Sequence, residues 1–180
     1  MSSPRELALM SELLAPDKGE LFAVLDGARE DAVHAFTSTA GLPWAYLEDG
    51  VVEATYEVCA PRLIALGSWP STALEQLLAK GWGKSWGVFV RARLNMGALR
   101  EHLRTLSSVK LPTGRVAQFR FYDPRVLRVY LPSCTYDEVA QVFGPIDEFA
   151  MEDEDPAIAC RFGRDNGALV VTKLELGAAG

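Results

Sequence analysis

The segment FRFYDPR, residues 119–125, places two phenylalanines, a tyrosine and an Asp-Pro pair among arginines. Asp123 and Pro124 are typical of a helix start. Aspartate at the N-cap accepts hydrogen bonds from free backbone N–H groups, and proline at the first helical position lacks an N–H that would have no helical partner. In the strand expected before this helix, side-chain alternation directs Phe119 and Phe121 into the core. The segment therefore predicts a hairpin strand that passes directly into a capped helix.

These local rules leave Arg120, Tyr122 and Arg125 without a structural explanation. Arg120 should emerge on the strand face opposite the phenylalanines, and Arg125 should share the outer side of the helix with Arg128. Arginine and tyrosine combine packing area with hydrogen bonds and are enriched at binding hot spots. Arg120, Tyr122, Arg125 and Arg128 are therefore candidate partner-binding residues.

Outward from this segment, short apolar runs alternate with amphipathic helices. LFAVLDG (21–27) and SWGVFVRA (85–92) predict buried strands. Capping residues and apolar stripes predict helices near 30–38, 71–80, 95–106 and 135–143. Hairpins are expected over 109–121 and around Asn166-Gly167. The pattern indicates an α/β or α+β fold, with a mixed β-sheet flanked by helices and a C-terminal β-hairpin appendage.

The charges are unevenly distributed along the chain. Residues 1–79 hold 4 basic and 12 acidic groups (net −8), residues 80–128 hold 11 and 2 (net +9), and residues 129–180 hold 3 and 10 (net −7). The basic section either packs beside the acidic ones, which we favour, or forms a partner-facing patch. Acids cluster at 147–155, so 147–156 is expected to be a solvated, mobile connector. It would join a main domain (1–146) to the hairpin (157–180), which is expected to pack on that domain.

No pattern of catalysis or cofactor binding is visible. His34 and His102 fall in predicted helices outside any catalytic motif, and the chain lacks GxSxG, HExxH and Walker-type sequences. The glycines of GWGKSWG (81–87) have the wrong spacing for a phosphate loop and better suit a turn with Trp82 and Trp86 packed across it. We therefore expect no enzyme activity, no cofactor and no metal site.

Composition bears on the compartment and on one alternative function. The three cysteines are far apart, which argues against a disulfide framework, and no apolar run reaches 18 residues, so we expect a cytoplasmic protein without a membrane partner. The N-terminal stretch 1–16 reads as a helix and not as a secretion signal. The alternative function is nucleic-acid binding through residues 80–128, in which FRFY would act as a stacking surface. A pI of about 5.0 argues against it.

Three segments resemble one bacterial family in order and spacing. They are LFAVLDGA (21–28), KGWGKSWGVFV (80–90) and LPTGRVAQFRFYDPRVLRVYLP (111–132), the last followed by FGPI (143–146). This pattern resembles the type VI secretion effector-adaptor domain, also called the Tap or Tec chaperone family and previously described as a domain of unknown function. The resemblance covers about residues 21 to 146.

The resemblance implies a non-enzymatic cytoplasmic adaptor of a Gram-negative bacterium. Such a protein binds a cognate toxic effector and helps to load it onto the spike protein of the contractile injection machine. It adds Trp82 and Trp86 to the candidate partner-binding residues, and it marks Asp123, Pro124, Gly83 and Gly87 as structural motif positions. Since the family varies beyond this core, effector selectivity is expected in residues 147–180.

Overall fold

A computed structural model describes residues 3, 8–9, 19–50, 54–67 and 72–176. The helix expected over 1–16 lies almost entirely outside the described residues. Seven strands form one sheet in the order β2-β3-β1-β4-β7-β8-β9, and β5 and β6 form a separate two-stranded hairpin. The strands are β1 Glu20–Leu25, β2 Trp44–Tyr46, β3 Arg62–Gly67, β4 Gly87–Ala92, β5 Ser108–Lys110, β6 Val116–Gln118, β7 Ile146–Glu152, β8 Ile158–Asp165 and β9 Ala168–Glu175.

Helices cover both faces of the sheet. They are α1 Asp31–Thr39, α2 Ala54–Glu57, α3 Thr72–Gly81, α4 Met96–Leu106, α5 Pro124–Tyr130 and α6 Tyr136–Phe143. The apolar sides of α4, α5 and α6 pack on one face with Phe22 and Val24, whereas α1 and α3 pack on the other with Leu21 and Ala23. Strand β1 is buried on both faces for this reason, which explains why its sequence is an unbroken apolar run.

The predicted combination of helices, sheet and C-terminal hairpin is confirmed. Every strand pairing is antiparallel, whereas the alternation of strands and helices had favoured a mixed sheet. The hairpin turn at Asn166-Gly167 is present, with φ of 49° and 82°. Strands β8 and β9, which it connects, continue the main sheet beyond β7.

The expectation of a mobile acidic connector at 147–156 is wrong. Residues 146–152 form β7, which pairs with β4 on one side and β8 on the other. The physical reason is that Phe149, Ala150 and Met151 are buried in the sheet, while the acids around them are exposed or have partners. Within this segment, only residues 153–156, in the turn between β7 and β8, lie outside the strand and are partly or fully exposed. The main domain and the C-terminal hairpin therefore share one sheet.

The helix caps that the sequence predicts are confirmed, because each capping side chain bonds to a residue only a few positions away. Asp123 caps α5 through its side chain, with Pro124 at the start of the helix, and Thr135 and Glu138 form the expected capping box of α6. The alternation predicted across 117–121 is confirmed, since Phe119 packs on the core and Phe121 is buried while Gln118 and Arg120 are exposed, although the β6 ladder itself ends at Gln118. The chain then turns, so that Phe121 and Tyr122 are buried side by side.

Candidate partner-binding site

The three sequence segments meet at Asp26, which follows β1 and is 1% exposed. Its backbone N–H donates to the carbonyl oxygen of Trp86 at 2.8 Å, which joins the first segment to the second. Its carboxylate accepts a hydrogen bond from the Ala28 N–H at 3.1 Å and forms an ion pair with the guanidinium of Arg120 from the third segment. One buried carboxylate thus connects parts of the chain that are far apart in sequence.

A second buried carboxylate, that of Asp123, holds Arg125. The Arg125 Nε and one terminal guanidinium nitrogen donate to its two oxygens at 3.0 and 2.6 Å. The Arg125 backbone N–H donates to the same carboxylate at 3.0 Å, which is the helix cap. Burial alone would raise the pKa of Asp123, but these hydrogen bonds and the charges of Arg125 and Arg120 outweigh it and hold the pKa below its ordinary value.

Both arginines remain accessible although their charged ends are anchored. The side chains of Arg120 and Arg125 are 43% and 48% exposed, respectively. Burial lowers the pKa of Arg120, but the hydrogen bond and charge of Asp26 produce a net increase, so the guanidinium stays charged. The result is a surface feature, called here the arginine pair (Arg120 and Arg125), whose two cations are fixed in place by buried acids.

Tyr122 and Trp86, also predicted to contact a partner, are buried in this structure. The Tyr122 ring packs edge-on against Phe121, with ring centroids 5.5 Å apart, and burial followed by the charge of Asp26 raises its pKa to about 12. Trp86 lies so close to Gly81 that a Cβ there would come within 2.8 Å of the indole ring. Both side chains belong to the interior in this conformation and offer a partner little surface.

Trp82 and Arg128 are partly buried and contact the end of β7 and the turn that follows it. The Trp82 indole N–H donates to the Pro156 carbonyl oxygen at 2.9 Å. Arg128 donates to the Glu152 carbonyl oxygen at 3.5 Å and lies 4.0 Å from the Asp153 carboxylate. Their contacts account for both residues structurally, and their role in partner binding stays a prediction.

The two motif glycines permit close backbone geometry. Gly83 has a φ of 84°, in the left-handed region that favours glycine. At Gly87, the first residue of β4, a Cβ would lie 2.1 Å from the carbonyl oxygen of Val24 in β1. Any larger residue at position 87 would therefore separate the two central strands.

Glu152 is the important residue that sequence reasoning missed. Its buried carboxylate accepts hydrogen bonds from the backbone N–H groups of Gly83 and Ser85 at 2.5 and 2.8 Å, and from the Ser85 hydroxyl at 3.2 Å. From β7, whose run of acids predicts a connector, it therefore holds the loop between α3 and β4. No local signal could have identified it, because its partners lie 67 and 69 residues away.

The favoured interpretation of the basic section is confirmed. Six of its cations form ion pairs with acids from the two flanking sections: Lys84–Glu30, Arg93–Asp147, Arg100–Asp49, Arg104–Asp49, Arg120–Asp26 and Arg128–Asp153. These pairs neutralise much of the positive charge that a phosphate backbone would require. Six of the eleven basic residues in this section are therefore already paired with carboxylates of the flanking sections.

The histidines contact other groups of the fold. His34 Nδ1 lies 2.8 Å from a guanidinium nitrogen of the buried Arg62, and His102 Nε2 lies 2.9 Å from the carbonyl oxygen of Val142. Over the ranges that the structure describes, no three His, Cys, Asp or Glu side chains are grouped in a way that could hold a metal ion. In the same ranges, no helix has the length and apolar character needed to cross a membrane.

Comparison with known protein families shows the family of this chain. A family model described as "Domain of unknown function (DUF4123)" matches residues 21–141, about two-thirds of the chain. Neither the curated proteins nor the solved structures include a match. The matched region contains Asp26, the loop at 82–86 and the arginine pair, and it ends before β7.

Proposed function

The chain belongs to the DUF4123 family, and on that premise we propose that it is a non-enzymatic adaptor of a type VI secretion system. In this proposal it binds a cognate toxic effector in the bacterial cytoplasm and promotes the loading of that effector onto the spike protein. The three segments that resemble the effector-adaptor domain support the proposal, since all three lie largely or wholly within the matched region.

The observation that carries the proposal is the arginine pair. Anchoring a guanidinium on a buried carboxylate restricts its rotamers before any partner arrives, which lowers the entropy cost of binding. Arg125 donates to Asp123 through Nε and one terminal nitrogen. Its other terminal nitrogen has no hydrogen-bond partner among the described residues and can therefore donate to another protein. An anchored guanidinium of this kind can donate to a carboxylate or a backbone carbonyl of a partner protein.

The mechanism is binding and escort, without chemistry on the partner. Asp26, where the three segments meet, holds Arg120, and the cap residue Asp123 holds Arg125, so both guanidinium groups are positioned before a partner arrives. We expect the pair to contribute a hot spot around which an effector or spike surface packs.

Arg125→Glu tests this proposal against a matched control. Tagged wild-type protein, Arg125→Glu and Arg115→Glu are expressed in the native host, and proteins that co-purify are identified by mass spectrometry. Arg115 is an exposed arginine in the β5–β6 turn, so its replacement makes the same charge change away from the arginine pair. We expect recovery of a spike or toxin-like protein with the wild type and with Arg115→Glu, and at least tenfold less with Arg125→Glu.

Circular dichroism separates a binding effect from unfolding. If Arg125→Glu unfolds the protein, Arg125→Gln provides the milder test, because it removes the positive charge without placing a second acid beside Asp123. Undiminished capture by a folded Arg125 variant would remove the arginine pair from the binding site. Recovery of neither a spike nor an effector from cells that produce the injection machine would contradict the adaptor function itself.

A further inference from the structure

Strand β9 forms an outer edge of the main sheet. It pairs with β8 over eight residues, and no other strand among the described residues pairs with its outer side. Val170 and Val171, at its centre, are 43% and 44% exposed. A long edge strand with an exposed apolar centre is a template for pairing with another chain. It also lies outside the region that matches the family.

The hairpin turn determines which backbone groups of β9 are free. Positive φ at both Asn166 and Gly167 defines a type I′ two-residue turn, in which the flanking residues, Asp165 and Ala168, form a hydrogen-bonded pair. Even-numbered residues of β9 therefore point their N–H and C=O groups toward β8. The Leu176 N–H, which donates to the Ala157 carbonyl oxygen at 2.8 Å, continues this pattern. The odd-numbered residues Leu169, Val171, Lys173 and Glu175 consequently direct theirs outward.

The two ends of β9 differ in charge: the exposed Arg164 and Asp165 beside its start have opposite signs, whereas acids prevail at its C-terminal end. Glu175 is exposed there, next to the turn that contains Asp153, Glu154 and Asp155. Lys173 is the basic residue of β9, and it pairs with Asp153 at 2.6 Å. The end of the edge is therefore acidic, while its centre is apolar.

One side of β9 adjoins an open depression of about 350 Å³. It is lined by side chains of β7, β8 and β9, including Val170, Thr172 and the Glu148–Arg161 ion pair, and by Gly163, which adds no side chain. This hollow provides room for a large side chain of a bound strand on that face.

We propose that β9 binds an extended segment of a partner protein as an eighth strand of the sheet. The segment has alternating apolar residues opposite Val170 to Thr172, and basic residues where it passes Glu175 and the 153–155 turn. Main-chain hydrogen bonds to the odd-numbered residues supply affinity, and the acidic end supplies the charge selectivity. A second copy of this chain is a poor occupant, since the chain carries a net charge of −6 and its own β9 has no excess of positive charge.

Two synthetic ten-residue peptides test the proposal on the full chain. Both have the same alternating Val-Thr core, and one carries lysines at each end while the other carries glutamates. In ¹⁵N NMR titrations we expect the lysine peptide to shift the amide signals of residues 169–175, with at least tenfold higher affinity than the glutamate peptide. Raising the salt concentration should reduce that difference, because exposed charges are screened.

Val171→Pro removes an N–H that points away from β8. The hydrogen bonds to β8 are retained, because an edge strand tolerates proline where the N–H faces outward. We expect this variant to lose the peptide-induced shifts. Should it fail to fold, Val171→Lys, which keeps the N–H but places a positive charge at the apolar centre of the edge, should weaken binding of the lysine peptide. Val129→Thr, which changes an exposed valine on α5, is the matched control and should bind as the wild type does.

Three results would overturn the proposal. They are an absence of shifts along β9 with either peptide, equal affinity for the two peptides, and self-association of the chain alone that Val171→Pro abolishes. The last would assign the edge to a second copy. None of these results depends on the adaptor function, which the pull-down with Arg125→Glu tests separately.

Discussion

Replacing Glu152 by glutamine should destabilise the protein strongly, although the two side chains have the same shape. The carboxylate accepts two hydrogen bonds from Ser85 on one oxygen and one from Gly83 on the other. An amide offers a single acceptor oxygen, so the NH₂ group must face a backbone N–H that it cannot satisfy. Glutamine therefore breaks at least one of the three hydrogen bonds and removes the charge from those that remain.

The expected loss follows from these contacts. A hydrogen bond to a charged group contributes about 1.5–3 kcal/mol, and one between neutral groups about 0.5–1.5 kcal/mol. Losing one charged hydrogen bond and weakening the rest lowers the free energy of unfolding by about 3–4 kcal/mol. For a domain of this size, that corresponds to a decrease in Tm of about 6–16 °C.

Urea denaturation followed by circular dichroism at neutral pH measures the loss. Glu154→Gln is the matched control, because it makes the same chemical change two residues away at an exposed position, and it should alter stability by less than about 0.5 kcal/mol. If Glu152→Gln is no more destabilising than Glu154→Gln, the carboxylate does not hold the loop as described.

Three further predictions concern pH and packing. Because the pKa of Asp123 is below its ordinary value of 3.8, its ionised form stabilises the fold above that pH, and this contribution is lost as the pH falls through the folded-state pKa. Asp123→Asn should thus lower stability in urea unfolding at pH 7, by an amount that shrinks below about pH 3.8. Gly144→Ala should cost at least about 2 kcal/mol more than Gly114→Ala in the same assay. Both glycines have positive φ, but a Cβ at position 144 would meet the His102 ring at 2.4 Å, whereas the space at 114 is open. In a spectrophotometric titration, Tyr122→Phe should remove a phenol that ionises only near pH 12.

Much of the fold could be predicted from the sequence, because its signals are local. The Asp123 cap, the Thr135 capping box and the Asn166-Gly167 turn each depend on residues within a few positions of one another. The buried β1 is recognisable from composition alone, since a strand covered on both faces is apolar throughout.

The roles of individual polar and aromatic side chains could not be predicted in this way. Strand alternation predicts an outward-facing Arg120 but not its ion-pair partner, because Asp26 lies 94 residues earlier in the chain. Tyr122 is a binding candidate on residue type alone, yet the turn after Phe121 buries its ring, and no local rule describes that turn. For Glu152, the run of acids predicts a solvent-exposed segment. Its side chain is instead buried in β7, where it accepts hydrogen bonds from a distant loop.

These hydrogen bonds also set an order of events during synthesis. The loop at 83–85 leaves the ribosome 67 residues before Glu152 does. At a translation rate of about 5–20 residues per second, the loop waits about 3–13 s for its acceptor. Strand β4 waits almost as long for β7, since paired residues of the two strands are 54 to 61 positions apart. Throughout that interval the nascent chain exposes β4 as an apolar edge, so its yield in the cell should depend on how quickly translation proceeds from residue 92 to residue 152.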